Sequence, residues 1–287
     1  VKTMPARSLL LPILLLLVAM SSIQGGAAIA KGLFPLVGAQ GAVALRIGLS
    51  ALILLALLRP WRGKRLEWRR DAVLLAYGAS IGGMNLLFFL ALRTIPLGVG
   101  VALEFVGPLL LALVMSRRLL DVLWIVLAAC GIWLLLPAQL DPKALDPAGM
   151  ALAIAAGLVW ALYIVFGQKA GALHGSRSVA LGMLVAAVLV LPFGVAKAGA
   201  ALLAPSVLPL GLAVAVLSSA LPFYLELRVL TQLPTRTFSI LLSLEPALAV
   251  LSGLLLLGER LTLLQALAVV LIICASAGVA ATSQKSG

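Results

Sequence analysis

Two glutamates, Glu104 and Glu245, lie near the centres of long apolar stretches, each within about two residues, or about 3 Å along a helix axis, of the midpoint. A carboxyl group at that depth cannot snorkel to water, and left alone it costs at least ~2.5–3.5 kcal/mol. It therefore faces a wet cavity or a partner. In a cavity a carboxyl can hold a cationic group, or take and release a proton, because desolvation favours the protonated form and opening to water favours the charged one. Each has a purely structural alternative. Glu104 can bond a neighbouring span, and Glu245 precedes Pro246, which frees a carbonyl in the preceding turn and kinks a helix whatever the carboxylate does.

Arg46 is the only cation near mid-span, and a guanidinium stays charged there. It needs an anion or cavity water. Glu104, Glu245 and the carboxylate of a bound molecule are the candidates, the last suited to a bidentate pair. Structural pairing and ligand contact both remain open. Gln24 and Asn85 carry donors and acceptors that must be satisfied at depth, by a ligand or by a neighbouring helix. Gly25-Gly26 follows Gln24, and Gly82-Gly83 precedes Asn85. Such points can unwind and line a cavity with backbone, or serve close packing, as the Gly78-x-x-x-Gly82 spacing suggests. Of the tyrosines, which more often belong to the core or to an interfacial belt, Tyr163 is the one retained as a candidate. Pro108 and Pro246 are candidate kink points.

The elements that must position these residues are membrane helices. The chain is 63% hydrophobic and 10% charged, with a mean hydropathy of +1.22, too apolar for a soluble domain of 287 residues. Apolar runs fall near 9–30, 39–58, 72–92, 97–116, 121–136, 148–168, 178–196, 207–228, 235–257 and 262–281. Most match the ~20 residues a helix needs to cross ~30 Å of hydrocarbon, and none alternates with the period of a barrel strand. Ten transmembrane helices are expected, the first retained although Lys2, Arg7 and the run behind them imitate a signal peptide. The net charge of +12 follows the positive-inside rule and not a nucleic-acid footprint. With the N-terminus in the cytoplasm, 15 basic residues lie inside against 5 outside, so both termini are expected there. Trp61 and Trp68 read as interfacial anchors.

The chain also repeats itself. Pro96 and Pro234, Pro108 and Pro246, Asp121 and Glu259, and Lys31 and Lys169 are each 138 residues apart. This divides the chain into repeats 1–140 and 141–287. Five spans per repeat is an odd number, so the second copy enters the membrane from the opposite side. Inverted repeats of this kind suit a transporter that opens one site to alternate sides. Polar residues without a repeat partner then become the better site candidates: Glu104 stands against Leu242, Glu245 against Gly107, Asn85 against Phe223, Gln24 against Leu162 and Glu226 against Phe88. Glu226 lies about 12 Å from its span centre, close to Arg228, and reads as interfacial.

Leu233 to Gly253 together with Leu257-Gly258-Glu259-Arg260-Leu261 resembles the ninth-span signature of EamA-type drug/metabolite transporters, and Pro108 to Asp121 is a weaker first-half copy. Within that superfamily the chain is similar to threonine/homoserine exporters, in Ser22-Ile23-Gln24-Gly25-Gly26, Gly82-Gly83-Met84-Asn85, Val101-Ala102-Leu103-Glu104-Phe105, Pro234-Thr235-Arg236-Thr237-Phe238 and Leu244-Glu245-Pro246-Ala247. The resemblance implies a bacterial inner-membrane exporter of small hydroxylated amino acids. The first four spans of each repeat would enclose a cavity, and the fifth and tenth would buttress the bundle or a homodimer contact. Proton coupling would rest on the two mid-span glutamates. The partners expected are the amino-acid substrate, protons and lipid, with no nucleic acid, metal or cofactor. Rival readings are export of other amino acids, nucleosides or drugs, and a membrane scaffold or sensor subunit. An aromatic content of 6% favours a small polar substrate.

Enzymatic readings lack their chemistry. There is no His-Glu-x-x-His, no Walker loop and no Ser-His-Asp set. His174 is expected in a solvated loop, and Cys130 and Cys274 as small buried hydrophobes.

Overall fold

The protein is all-helical in the computed structural model, which describes residues 7–30, 33–62, 68–95, 97–116, 118–135, 146–242, 244–245, 248 and 263–284. The helices are α1 (Arg7–Ala30), α2 (Phe34–Leu58), α3 (Trp68–Ala91), α4 (Leu97–Glu104), α5 (Val106–Val114), α6 (Leu119–Leu135), α7 (Pro147–His174), α8 (Arg177–Ala198), α9 (Leu208–Ala215), α10 (Leu221–Leu230), α11 (Thr235–Leu241) and α12 (Leu263–Gln284). Among the described residues, five helical stretches are long and apolar enough to cross a membrane: Phe34–Arg62, Ala72–Ala91, Pro147–His174, Arg177–Leu203 and Leu208–Leu230. Large apolar side chains such as Leu119, Leu263, Val114 and Trp133 face outward, as lipid contact requires. Cys130 and Cys274 are exposed, a correction to the expectation of burial. An apolar run gives depth but not the face a residue occupies.

Local chemistry accounts for the helix boundaries. Asp146 caps α7, its carboxylate accepting from the amides of Gly149 at 3.0 Å and Ala148 at 3.3 Å, with Pro147 in the first turn where no donor is needed. Hydrogen bonding from Thr94, then from these amides, holds the Asp146 carboxyl below its ordinary value. At the other end α7 continues to His174, past the loop expected there, and stops at Gly175, whose φ of 57° is open to glycine.

Two helices are interrupted inside the apolar core. The α4/α5 break falls at Phe105. Pro108, three residues on, has no N–H to offer the carbonyl of Glu104, the i−4 position. That carbonyl lies against α7 so closely that a Cβ on Gly157 would collide with it. The second interruption is a π-helical turn, Val216–Ala220, between α9 and α10.

The most extensive helix contacts pair α2 with α8, α3 with α7 and α8, α6 with α12, and α1 with the α9–α10 unit. The α4–α5 unit packs on α7, α5 on α11, and α2 on α9. Small residues permit the approach. Gly78 and Gly82 of α3 meet Gly182 and Ala186 of α8, and the centre of the core is filled by Tyr77, Tyr163, Met183 and Phe223.

Candidate functional site

The site begins with the π turn. Pro222 has no N–H, so the carbonyl of Ser218 loses its i−4 donor, and the turn closes instead through the longer bond from the Leu221 amide to the Val216 carbonyl. Donors from other helices take the carbonyls left over. Arg46 Nη2 of α2 donates to Ser218 O at 2.9 Å and Arg46 Nε to Ser219 Oγ at 2.6 Å. Ser50 Oγ donates to Ala215 O at 2.8 Å, and Ser22 Oγ of α1 to Leu217 O at 2.7 Å. Ser218 Oγ returns to Val214 O at 2.7 Å within its own helix. Gly26 completes the contact, since a Cβ there would lie 2.6 Å from that of Ser218.

Three carboxyl groups lie within electrostatic reach of Arg46: Glu245, Glu104 and Glu226. Glu104 ends α4 at its break, and Glu245 lies just beyond α11. Arg46, Glu104 and Glu245 are surrounded by protein and yet keep accessible surface. Each is intermediate between the buried core and the exposed exterior. Fully ionised, the cluster would carry three negative charges and one positive, which a low-dielectric interior resists. A bound cation or a proton relieves the excess. Among the described residues no group of His, Cys, Asp or Glu is arranged to hold a metal ion.

Glu226 is not interfacial. It is 7% exposed and accepts a hydrogen bond of 2.8 Å from the Tyr163 hydroxyl, because α10 turns that face toward α7. Tyr163 is fully buried, stacked on Tyr77 at 5.5 Å and edge-on to Phe223 at 5.6 Å. It holds an acid and does not line the interior space. The Tyr77 hydroxyl lies near that of Tyr163 without hydrogen-bond geometry, and among the described residues it has no partner.

Asn85 is buried, and its amide donates to Ile81 O of its own helix at 2.8 Å. Among the described residues it makes no interhelical bond through that group. The backbone of α1 is helical through Gln24, Gly25 and Gly26 in this structure, and that of α3 through Gly82 and Gly83. Close packing uses Gly26, whereas a Cβ on Gly25 would meet nothing within 4 Å. The side chain of Gln24, and Pro246 altogether, lie outside the described residues. Pro108 is buried in α5 beside the break at Phe105. The serines of the π turn were not among the sequence candidates. The signal for them was Pro222 inside an apolar run, which announces an unpaired carbonyl one turn earlier.

A family model described as "EamA-like transporter family" matches residues 147–281. The threonine/homoserine exporter RhtA of Escherichia coli strain K12 is 56% identical over 275 residues, which is 96% of this chain and 93% of that protein. The protein of the same name from Salmonella typhimurium strain SL1344 is 57% identical over 268 residues, 93% of this chain and 90% of the relative. A solved protein crystal structure aligns with a TM-score of 0.74, covering 95% of this chain and 98% of its own at 19% identity. That likeness concerns the fold alone.

Proposed function

The chain belongs to the EamA-like transporter family, and from that premise we propose that it exports threonine, homoserine and similar small hydroxylated amino acids across the bacterial inner membrane by alternating access. The architecture proposed is ten transmembrane helices in two inverted five-helix repeats, 1–140 and 141–287, with both termini cytoplasmic. Its support is the pairing pattern. Counting α4–α5 and α9–α10 as one span each, exchange of every span with the one five places along maps the α2–α8, α6–α12 and α5–α11 contacts onto themselves. The same exchange maps α3–α7 onto α1–α10 and α3–α8 onto α2–α9. An internal two-fold has this property, and two such halves can exchange conformations about one central site.

The observation that carries the substrate class is one guanidinium, Arg46, within electrostatic reach of two partly accessible carboxyl groups, Glu104 and Glu245. A zwitterionic amino acid needs a cation for its carboxylate and an anion for its ammonium. Arg46 offers the first, and Glu104 or Glu245 the second. Gln24 and Asn85 are the amides nearest in character to what the substrate hydroxyl requires. Proton coupling is assigned to Glu104 and Glu245, since their negative excess must be neutralised whenever the site is closed and empty. Exchange of substrate for protons satisfies that condition on both sides.

Cells preloaded with labelled threonine or homoserine test this reading. Overexpression of the wild type is expected to stimulate efflux of both, and Glu104→Ala and Glu245→Ala to abolish it at matched membrane levels. No stimulation by the wild type would discard the substrate. Glu245→Gln is expected to lose gradient-driven export and keep equilibrative exchange; gradient-driven export with normal pH dependence in that variant would remove Glu245 from coupling.

A further inference from the structure

We propose that Ser219 is a positioning residue that decides which edge of the Arg46 guanidinium meets the substrate carboxylate; this deepens the export reading and rests on Arg46 taking that group. A guanidinium has two forked edges, each able to bind a planar carboxylate through two parallel N–H bonds. One combines Nε–H with a hydrogen of Nη2, and the other combines Nη1 with the second hydrogen of Nη2. In this structure the first edge is occupied. Nε donates to Ser219 Oγ at 2.6 Å and Nη2 to Ser218 O at 2.9 Å, two acceptors one residue apart on the π turn.

The second edge carries no hydrogen bond among the described residues, and Arg46 as a whole is not fully buried. Ser218 and Ser219 are 2% and 0% exposed, so nothing from the interior space reaches the first edge past them. Among the described residues no carboxylate hydrogen-bonds the second edge, although three lie within electrostatic reach. A charged fork without a hydrogen bond among the described residues, with its opposite fork anchored, is a built site for one carboxylate. The Ser218 hydroxyl is engaged with Val214 O, which leaves Ser219 Oγ as the side-chain acceptor that fixes the rotation of the guanidinium about its stem. The Ser218 carbonyl is open to Arg46 because Pro222 cannot claim it. Without the Ser219 hydroxyl the guanidinium retains its charge and one anchor, but both edges become available and the carboxylate is no longer held in one register.

Counterflow in proteoliposomes containing the full-length protein reads this directly, using L-threonine and, as competitor, L-threoninol, which has the ammonium and both hydroxyl functions but no carboxylate. Ser219→Ala is expected to raise the KM for threonine about tenfold, about 1.4 kcal/mol, to lower Vmax by less than it raises KM, and to leave inhibition by threoninol unchanged. Ser219→Thr, which restores an acceptor, is expected to recover the threonine KM. An unaltered threonine KM in Ser219→Ala overturns the proposal, and so does an equal loss for threonine and threoninol, which marks a general distortion of the cavity. If Ser219→Ala fails to accumulate, Ser219→Cys, close in volume but a poor acceptor, carries the same comparison. Wild-type protein that exchanges no threonine defeats the export reading itself. Wild-type exchange combined with a normal threonine KM in Arg46→Lys overturns the proposal at its premise, the role of Arg46.

Discussion

Tyr163 and Glu226 depend on each other because neither meets water. The Tyr163 hydroxyl donates to the Glu226 carboxyl across 2.8 Å, and both groups lie in the packed centre of the bundle. Removing one partner from such a pair costs more than the bond contributes, since a buried acceptor is left unsatisfied. Tyr163→Phe is therefore expected to destabilise the protein by about 1–3 kcal/mol, visible as a lower melting temperature in detergent. Glu226→Gln keeps an acceptor for the phenol, and its melting temperature should fall less. The two partly accessible acids, Glu104 and Glu245, behave oppositely: their replacement is expected to remove transport while sparing stability, as the efflux assay and the same melting measurement would separate.

The broken helices are where elements acquire function. Pro222→Ala would return an N–H to the Ser218 carbonyl and set the backbone in competition with Arg46 for one acceptor. A proline in a helix interior costs about 3 kcal/mol relative to alanine, so the variant should melt no lower than wild type while its threonine KM rises. A lower melting point with unchanged KM would show that the π turn serves packing alone. At the other break, Gly157→Ala forces a methyl group into the Glu104 carbonyl, and backbone cannot yield as a flexible side chain does. Overpacking of that kind costs about 1–3 kcal/mol, measurable by thermal unfolding. The cap of α7 adds a pH dependence. Because Asp146 is held below its ordinary value, its contribution is full above the unperturbed 3.8 and disappears as the pH falls through the lower, folded value. Unfolding in detergent should lose this acid sensitivity in Asp146→Ala.

For the molecule as a whole, the proposed ten spans, five in each repeat, would place 15 basic residues on one side against 5 on the other, with both termini cytoplasmic. Reporter fusions at the N- and C-termini are expected to give the cytoplasmic signal at both ends, and opposite signals would require an odd number of crossings. The helix contacts that a five-span exchange maps onto one another, α2–α8, α6–α12 and α5–α11 among them, support the proposed repeat from packing.

The sequence by itself determined that this is a helical membrane protein and where its apolar runs lie, and it led to the expectations that the chain is duplicated and that Glu104, Glu245 and Arg46 lie near mid-span. Those properties are written along the helix axis, as composition, spacing and charge. Pro222 likewise shows in sequence that a carbonyl of its helix lacks a donor. Which donor fills the vacancy was decided only by tertiary structure, because Arg46 stands 172 residues away from Ser218 in the chain. The same holds for the burial of Glu226, the outward exposure of Cys130 and Cys274, and the return of the Asn85 amide to its own helix. Hydropathy sets how deep a residue lies, whereas the rotation of each helix about its axis is set by the neighbours it packs against, and those contacts join residues far apart in the chain.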